Sequence, residues 1–105
     1  MSLKENQKDV DDWVKQYNPK YFPPLEQLAC LIEEVGEVAR ELNHMYGNKK
    51  KKSSEETKEL SKELIDIIFT VICIANNHKI DLEKEWDERI QKKLYERDKD
   101  RFEKK

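Results

Sequence analysis

Glycine and proline, the residues that most often interrupt regular structure, are rare in this chain. Two glycines and three prolines occur in 105 residues, and the prolines and Gly47 fall where helices would begin or end rather than at strand turns. Apolar residues recur at helical spacing and predict helices over about 3–17, 25–46 and 54–78, with a fourth that begins after Asp81. There is no internal repeat and no strand-like alternation. We therefore expect an all-α fold, a four-helix antiparallel bundle with short loops.

Polar residues and one glycine mark the expected helix ends. Gly47 is expected to close the second helix in the left-handed conformation. Ser53 or Ser54 offers a cap for the third helix, and Ser53 with Glu56 has the spacing of a capping box, in which side chains satisfy free backbone N–H groups. Asp81 is expected to cap the fourth helix. These residues thus predict the boundaries between the second, third and fourth helices.

Composition limits the size of the interior. Charged residues make up 42% of the chain and hydrophobic residues 36%, so a single domain over 1–105 has few apolar side chains to bury. The third helix is nevertheless apolar on nearly every side at 67–75, as expected of a helix at the centre of an assembly. We therefore expect a homodimer or a dimer of dimers to complete the bundle.

The same composition excludes several classes of function. The 21 Lys and Arg nearly balance the 23 Asp and Glu, so a net charge of -2 gives no basis for binding a nucleic acid polymer. The longest apolar stretch is too short to span a bilayer. Cys30 and Cys73 lie in apolar helical runs and are expected to be small buried side chains in a reducing compartment. The expectation is a cytoplasmic protein without membrane contact.

Four carboxylates stand out by their spacing on two consecutive helices. Residues three apart project from one side of a helix, so each helix carries one pair: Glu34 and Glu37 on the second, Glu63 and Asp66 on the third. The third-helix pair borders the apolar stripe, so Asp66 projects from the edge of a core. Clustered carboxylates lose hydration and repel one another, and a hard cation such as Mg²⁺ compensates them. On spacing alone, solvated acids on a charged helix face are an equal alternative.

These acids resemble the motif of the MazG-like members of the all-α NTP pyrophosphatase superfamily, which is Glu-x-x-Glu on one helix and Glu-x-x-Asp on the next. Residues 34–37 match the first half, including the glycine that often precedes its second acid, and residues 63–66 match the second half. The stretches 72–83 and 93–101 resemble the segment that leads into the last helix of these enzymes and their basic tail. The resemblance covers about 25–101, most of the chain.

The resemblance implies a hydrolase that depends on Mg²⁺, with Mn²⁺ as a substitute. It would convert a ribo- or deoxyribonucleoside triphosphate and water into the monophosphate and pyrophosphate, in nucleotide-pool housekeeping. The four paired acids would hold the cation, and Glu33 would orient or deprotonate the attacking water. Lys93 and Arg97 would meet the outgoing pyrophosphate. Asn76 would lie near the nucleotide.

Each of these roles has an ordinary structural alternative. Lys93 and Arg97 would complement the dipole at a helix end, and Asn76 would be a buried, hydrogen-bonded asparagine. Glu33 would be solvated or salt-bridged, and the lysine run at 49–52 a solvated loop rather than a phosphate clamp. Spacing also leaves open a non-catalytic module that binds Mg²⁺ and nucleotide, and disfavours a structural helical adaptor.

Aromatic side chains precede the second helix in an unusual concentration. They are able to stack on a nucleobase, but core packing is the more common role for such residues. The four residues are Trp13, Tyr17, Tyr21 and Phe22.

Overall fold

The computed structural model describes residues 2–48 and 59–105. Four α-helices and one π-helical turn follow one another along the chain: α1 Leu3–Val14, α2 Pro24–Tyr46, α3 Leu60–Asn77, α4 Leu82–Lys92 and the turn Lys93–Arg97. The described residues contain no strand, so the predicted all-α fold with four helices is confirmed. None of the helices in these two ranges combines the length and hydropathy that a membrane crossing requires.

The most extensive contact between helices in the fold is that between α2 and α3. The two helices run antiparallel, since Gln27 near the start of α2 bonds Asn77 at the end of α3. The α1 helix packs against α3, and α4 packs against α1. The pair α2 and α3, called the central hairpin below, is therefore the element to which the rest of the chain is attached.

Helix starts follow the local chemistry of the sequence. Pro24 is the first residue of α2, where its missing N–H costs nothing. The Asp81 side chain accepts from the backbone N–H of Lys84 at 3.1 Å, as predicted for the cap of α4. At α1, Ser2 and Glu5 form a capping box that the sequence analysis had not singled out.

Two helix boundaries lie inside the predicted ones. The α1 helix ends at Val14, three residues before the predicted end, and the chain then turns into the aromatic segment. The α3 helix begins at Leu60 rather than near residue 54, because Glu59 is extended and forms its cap position. The predicted caps at Ser53 and Ser54, with Glu56, lie outside the described residues, as does the lysine run at 49–52.

The prediction that Gly47 is left-handed is wrong. Its backbone is extended, with φ -88° and ψ -178°, while its N–H bonds the Asn43 carbonyl at 2.9 Å. A Cβ atom at this position would lie 2.6 Å from that carbonyl oxygen. Glycine is required here by the close approach of the last turn of α2, since a side chain would collide with it.

The left-handed residue in the described chain is Lys79, with φ 57°. It follows the end of α3 in a Schellman motif: the N–H of Ile80 bonds the Ala75 carbonyl at 2.9 Å, and the N–H of Lys79 bonds the Asn76 carbonyl at 3.1 Å. A lysine in this conformation brings its Cβ close to the following carbonyl oxygen. The turn that leads from α3 to α4 therefore carries a conformational cost that glycine would avoid.

A polar network attaches α1 to the end of α3. Gln7 donates to the side-chain oxygen of Asn76 and to the Ile80 carbonyl, both at 2.8 Å. Its own side-chain oxygen accepts from the backbone N–H of Leu82, the first residue of α4. One glutamine thus fixes α1 against the junction between α3 and α4.

The apolar interior of the single chain is small. Among the described residues, Val14, Ile72 and Ala75 are the only hydrophobic side chains that are fully buried. The radius of gyration is 17.4 Å, against about 13 Å for a compact chain of this length. The described residues therefore leave much of the apolar surface of the central hairpin exposed.

Replacing Lys79 with glycine should stabilise the fold, because glycine adopts the left-handed conformation without the Cβ contact. We expect Lys79→Gly to raise the free energy of unfolding by about 1 kcal/mol. Chemical denaturation of both proteins measures the difference. Lys84→Gly, which removes the same charge from a right-handed position in α4, should lower stability instead. A lower free energy of unfolding in Lys79→Gly would show that relief of backbone strain does not determine the effect of this substitution.

Candidate active site

Three of the four predicted acids come together where α2 and α3 face each other. Carboxylate oxygens of Glu34, Glu63 and Asp66 all lie within 4.8 Å of one another. The antiparallel packing of the central hairpin produces this cluster, because it brings the middle of α2 level with the first turns of α3. The two acids of α3 are three residues apart and project to the same side.

The three acids differ in burial. Glu63 is 1% exposed, Glu34 is half-buried and Asp66 is exposed. A carboxylate as buried as Glu63, with two others beside it, is costly unless positive charge compensates it. Hard oxygen donors gathered at the edge of a core, with one side open, match the donor set that a divalent cation such as Mg²⁺ prefers. The residues present therefore fit a divalent cation.

The fourth paired acid, Glu37, and the separately predicted Glu33 lie on α2 beside this cluster. Glu37 is one turn further along α2, is half-buried, and falls outside the group whose oxygens lie within 4.8 Å. Glu33 is exposed on α2. It precedes Glu34 by one residue and so projects about 100° away from it around the helix.

A cavity of about 650 Å³ opens beside the acid cluster, and Glu34 and Asp66 form part of its wall. On α2 the wall continues through Cys30 to Gln27, and on α3 through Thr70 to Cys73; α1 and the segment after it close the other side. The lining residues recur three, four or seven positions apart along each helix, so they share one face. The cavity runs along the central hairpin, with the acids at one end.

Aromatic side chains form the opposite wall. Trp13, Tyr17 and Phe22 all line the cavity and are slightly more than half exposed. The Trp13 and Tyr17 rings meet edge to face with centroids 5.0 Å apart, and Trp13 also contacts Phe69 of α3 at 6.2 Å. The expectation that these residues mainly pack in the core is wrong for these three. Their rings leave planar apolar surface exposed along the cavity.

Tyr21 anchors the aromatic segment through hydrogen bonds. Its hydroxyl donates to Asp11 at 2.7 Å and accepts from the Asn76 amide at 3.0 Å. Burial raises the pKa of the Tyr21 phenol far above its usual value, and the Asp11 carboxylate adds to the shift. The same hydrogen bond, followed by that from Lys20, lowers the pKa of Asp11. The segment is thus held by a phenol that stays protonated across the neutral range.

Asn76 lies in this network rather than on the cavity wall beside the acids. Its amide nitrogen donates to the Gln7 carbonyl at 3.0 Å as well as to Tyr21, and its oxygen accepts from Gln7. These contacts correspond to the alternative considered from the sequence, a hydrogen-bonded asparagine between helices. The next residue, Asn77, donates to Gln27 at 3.0 Å.

The basic residues of the last helix do not border this cavity within one chain. Lys93 and Arg97 are exposed on the π-helical turn, which directly continues α4, and Arg97 pairs with Asp98 at 3.0 Å. Among the described residues that line the cavity, Lys20 is the only cation. Its ammonium lies 3.0 Å from an Asp11 carboxylate oxygen.

Sequence reasoning missed several residues of the cavity wall. Cys30 and Cys73 were expected to be buried, yet both are half-buried free thiols that line the cavity. Counting helical turns from the acids would have found them, since Cys30 precedes Glu34 by four residues and Cys73 follows Asp66 by seven. The cavity itself depends on α1, whose position no local pattern predicts.

Comparisons with known proteins agree with this geometry. Residues 22–102 match the family model of the MazG nucleotide pyrophosphohydrolase domain. The protein YpjD of Bacillus subtilis is 44% identical over 101 residues, which cover 96% of this chain and 90% of that protein. Its crystal structure has a TM-score of 0.76 at 41% identity and covers 88% of this chain and 94% of that one.

A second solved structure is similar over nearly the whole chain. The crystal structure of the Bacillus-conserved MazG protein, a nucleotide pyrophosphohydrolase, has a TM-score of 0.77 at 40% identity and covers 95% of this chain and 96% of that one. The class that fold and matches define is an all-α hydrolase of nucleotide pyrophosphate bonds. The chain belongs to the MazG nucleotide pyrophosphohydrolase family. An enzyme is thus favoured over the binding module and the adaptor.

Removing the Tyr21 hydroxyl should loosen the attachment of the aromatic segment. Tyr21→Phe leaves Asp11 and Asn76 each without one partner, so we expect the free energy of unfolding to fall by about 1 to 2 kcal/mol. Urea denaturation measures the loss. Tyr95→Phe, at a tyrosine that is 67% exposed, is the matched control and should change stability little. An equal loss in the two variants would argue against the network.

Proposed function

We propose that the protein hydrolyses ribo- or deoxyribonucleoside triphosphates to the monophosphate and pyrophosphate with Mg²⁺, with Mn²⁺ able to substitute, as nucleotide-pool housekeeping. The observation that carries the proposal is the cluster of Glu34, Glu63 and Asp66 at one end of an aromatic-lined cavity. A nucleotide has the same two parts, an anionic tail that requires cations and a planar base. Family membership supplies the reaction class.

In the proposed reaction a water oxygen bonds to the α-phosphorus while the bond from that phosphorus to the oxygen bridging to the β-phosphorus breaks. Glu34, Glu63 and Asp66, with Glu37 beside them, would hold the cation, which neutralises phosphate oxygens and lowers the pKa of a bound water. Glu33, exposed next to the cluster, orients or deprotonates the attacking water. The base lies against the aromatic wall formed by Trp13 and Tyr17.

The chain is proposed to act as a single MazG-like domain in a homodimer or a dimer of dimers. On α2, Leu28, Ile32 and Val35 form an exposed apolar stripe, and on α3 Leu64 and Ile68 form another. Taking 100° per residue, each stripe is roughly 120° or more from the cavity face of its own helix. Exposed apolar area of this extent is typical of an interface, and a second copy offers matching stripes.

Assembly also bears on the basic residues. Neither Lys93 nor Arg97 borders the cavity within one chain, so contact with the departing pyrophosphate requires that a second copy supply them. Positive charge placed where negative charge develops in the transition state is a large catalytic effect. We therefore propose that these two residues act across the interface, while Lys20 is the cation that the described residues of the same chain place on the cavity wall. Asn76 supports the nucleotide site through Tyr21.

Neutralising the acids should abolish turnover and leave the fold intact. Asp66→Asn and Glu37→Gln each remove one negative charge and keep nearly the same volume, and relief of repulsion within the cluster should leave the Asp66→Asn protein at least as stable. Release of pyrophosphate and monophosphate from each nucleoside triphosphate, at saturating Mg²⁺, measures the effect.

Glu88→Gln, an exposed acid of α4, is the matched control and should keep full turnover. Removing divalent cations with a chelator should abolish the activity of the unaltered protein, and Mg²⁺ or Mn²⁺ should restore it. Turnover near that of the unaltered protein in both acid variants would refute their assignment as metal ligands.

The contribution of a second copy is tested by mixing inactive variants. Arg97→Ala or Lys93→Ala should lower turnover about 100-fold with little change in stability. Co-refolded Arg97→Ala and Asp66→Asn chains should recover about a quarter of full turnover, because half of a random mixture is heterodimer and each heterodimer holds one intact site of two.

Light scattering of the same samples should report a dimer or a larger assembly at micromolar concentration, and Ile32→Lys with Ile68→Lys should dissociate it. Lys50→Ala controls for a phosphate clamp in the lysine run. An inactive mixture, or a monomer that is active, would show that the second copy does not contribute to the site. If Lys50→Ala alone loses turnover, the phosphates are bound by the lysine run and not by Lys93 and Arg97.

A further inference from the structure

Gln27 is an unusual residue for the wall of an apolar cavity. It lines the cavity from the first turn of α2 and is only 4% exposed, so its polar amide is taken out of water. Its side-chain oxygen accepts from the Asn77 amide at 3.0 Å. Its side-chain nitrogen is buried and has no hydrogen-bond partner among the described residues. A buried donor without an acceptor is costly, and such groups usually find a partner in the protein, in ordered water or in a ligand.

The orientation of this amide is fixed by its neighbours. Asn77 also donates to the Phe22 carbonyl at 3.4 Å, so its nitrogen is held between two acceptors. The oxygen of Gln27 must then face Asn77, since the reverse orientation would set two N–H donors against each other. The polar atom of this cavity-lining residue that is left without a partner is therefore a donor rather than an acceptor.

The position of Gln27 along α2 relates it to the acid cluster. Gln27 precedes Glu34 by seven residues, which places the two on one face of the helix and about 10.5 Å apart along its axis. Both line the same cavity, which also holds the aromatic wall. A nucleotide with its phosphates at the acids would therefore extend its base toward Gln27, a step that rests on the proposed function.

We propose that Gln27 is a specificity-determining residue that donates a hydrogen bond to an oxo group of the nucleobase. The enzyme then favours oxo-bearing bases such as uracil and hypoxanthine over adenine, which has no oxo group. A site built to hydrogen-bond a substrate group discriminates strongly against an analogue that lacks it, because its own buried partner stays unsatisfied. Asn77 is the positioning residue that keeps the donor of Gln27 facing the ligand.

The test compares deoxyuridine, deoxyinosine and deoxyadenosine triphosphates with 2′-deoxyribose 5′-triphosphate, which carries no base. In the unaltered protein kcat/KM should be about tenfold higher for the two oxo-bearing substrates than for deoxyadenosine triphosphate. Gln27→Met keeps the side-chain volume and removes the donor. It should lower kcat/KM about tenfold for the oxo-bearing substrates and leave the other two within about twofold.

Asn77→Leu should give a smaller loss of the same pattern, and Gln91→Met, an exposed glutamine of α4, should change nothing. An equal loss for all four substrates in Gln27→Met would show a purely structural role and overturn the proposal. So would an unaltered protein that uses deoxyadenosine triphosphate as well as the others.

Failure of the proposed function would be recognised separately, as the absence of turnover with every triphosphate. The inference would then be decided by the dissociation constants of deoxyuridine and deoxyinosine monophosphates against that of deoxyadenosine monophosphate. The same tenfold preference, lost in Gln27→Met, supports it, and equal binding of the three overturns it.

Discussion

The antiparallel contact between α2 and α3 is the interaction on which the other features of this protein depend. It sets Glu34 against Glu63 and Asp66 at one level, and Gln27 against Asn77 two turns away. A shift of either helix by one residue would rotate its side chains by about 100° and separate both sets. The register of this one helix pair therefore determines where the acid cluster and the Gln27 amide lie along the cavity.

This arrangement works against the stability of the single chain. Glu63 is only 1% exposed and has two other carboxylates within 4.8 Å, and burying a carboxylate costs free energy that its surroundings must offset. The interior that must outweigh this cost contains only three fully buried hydrophobic side chains in the described residues. Binding that favours the folded state stabilises it by mass action, so a divalent cation and a second copy would each add to a marginal fold.

Sequence patterns were informative where a property depends on neighbours along one helix. Helical spacing predicts the four helices and pairs the acids, and the cap at Asp81 follows from the side-chain chemistry of that residue alone. Patterns were misleading where a property depends on three-dimensional approach. Gly47 is required because a side chain there would collide with Asn43. In the sequence, a glycine needed for this reason cannot be distinguished from one needed for a left-handed conformation.

The choice between Asn76 and Asn77 shows the same limit at the site. The two residues are adjacent, yet about 100° of helix rotation directs one to α1 and the other to α2. Which of the two asparagines lies next to the cavity depends on where α1 packs. The position of α1 is fixed by hydrogen bonds that Asn76 forms with Gln7 and Tyr21, residues more than 50 positions away in the chain. No pattern within one helix contains that information.

The two faces of the central hairpin carry different kinds of residue. Polar and aromatic groups surround the cavity on one face, while the stripes led by Ile32 and Ile68 remain apolar and exposed on the other. Hydrogen bonds of Gln7 attach α1 to the end of α3 and fix its orientation, because each donor needs an acceptor at one place, while Trp13 and Val14 line the cavity. Apolar stripes impose less orientation but bury more area. A directional network thus holds α1 and the aromatic segment in place, while the exposed apolar stripes are the surface proposed for assembly. In the proposed dimer, substrate recognition and subunit contact would use different residues of the same two helices.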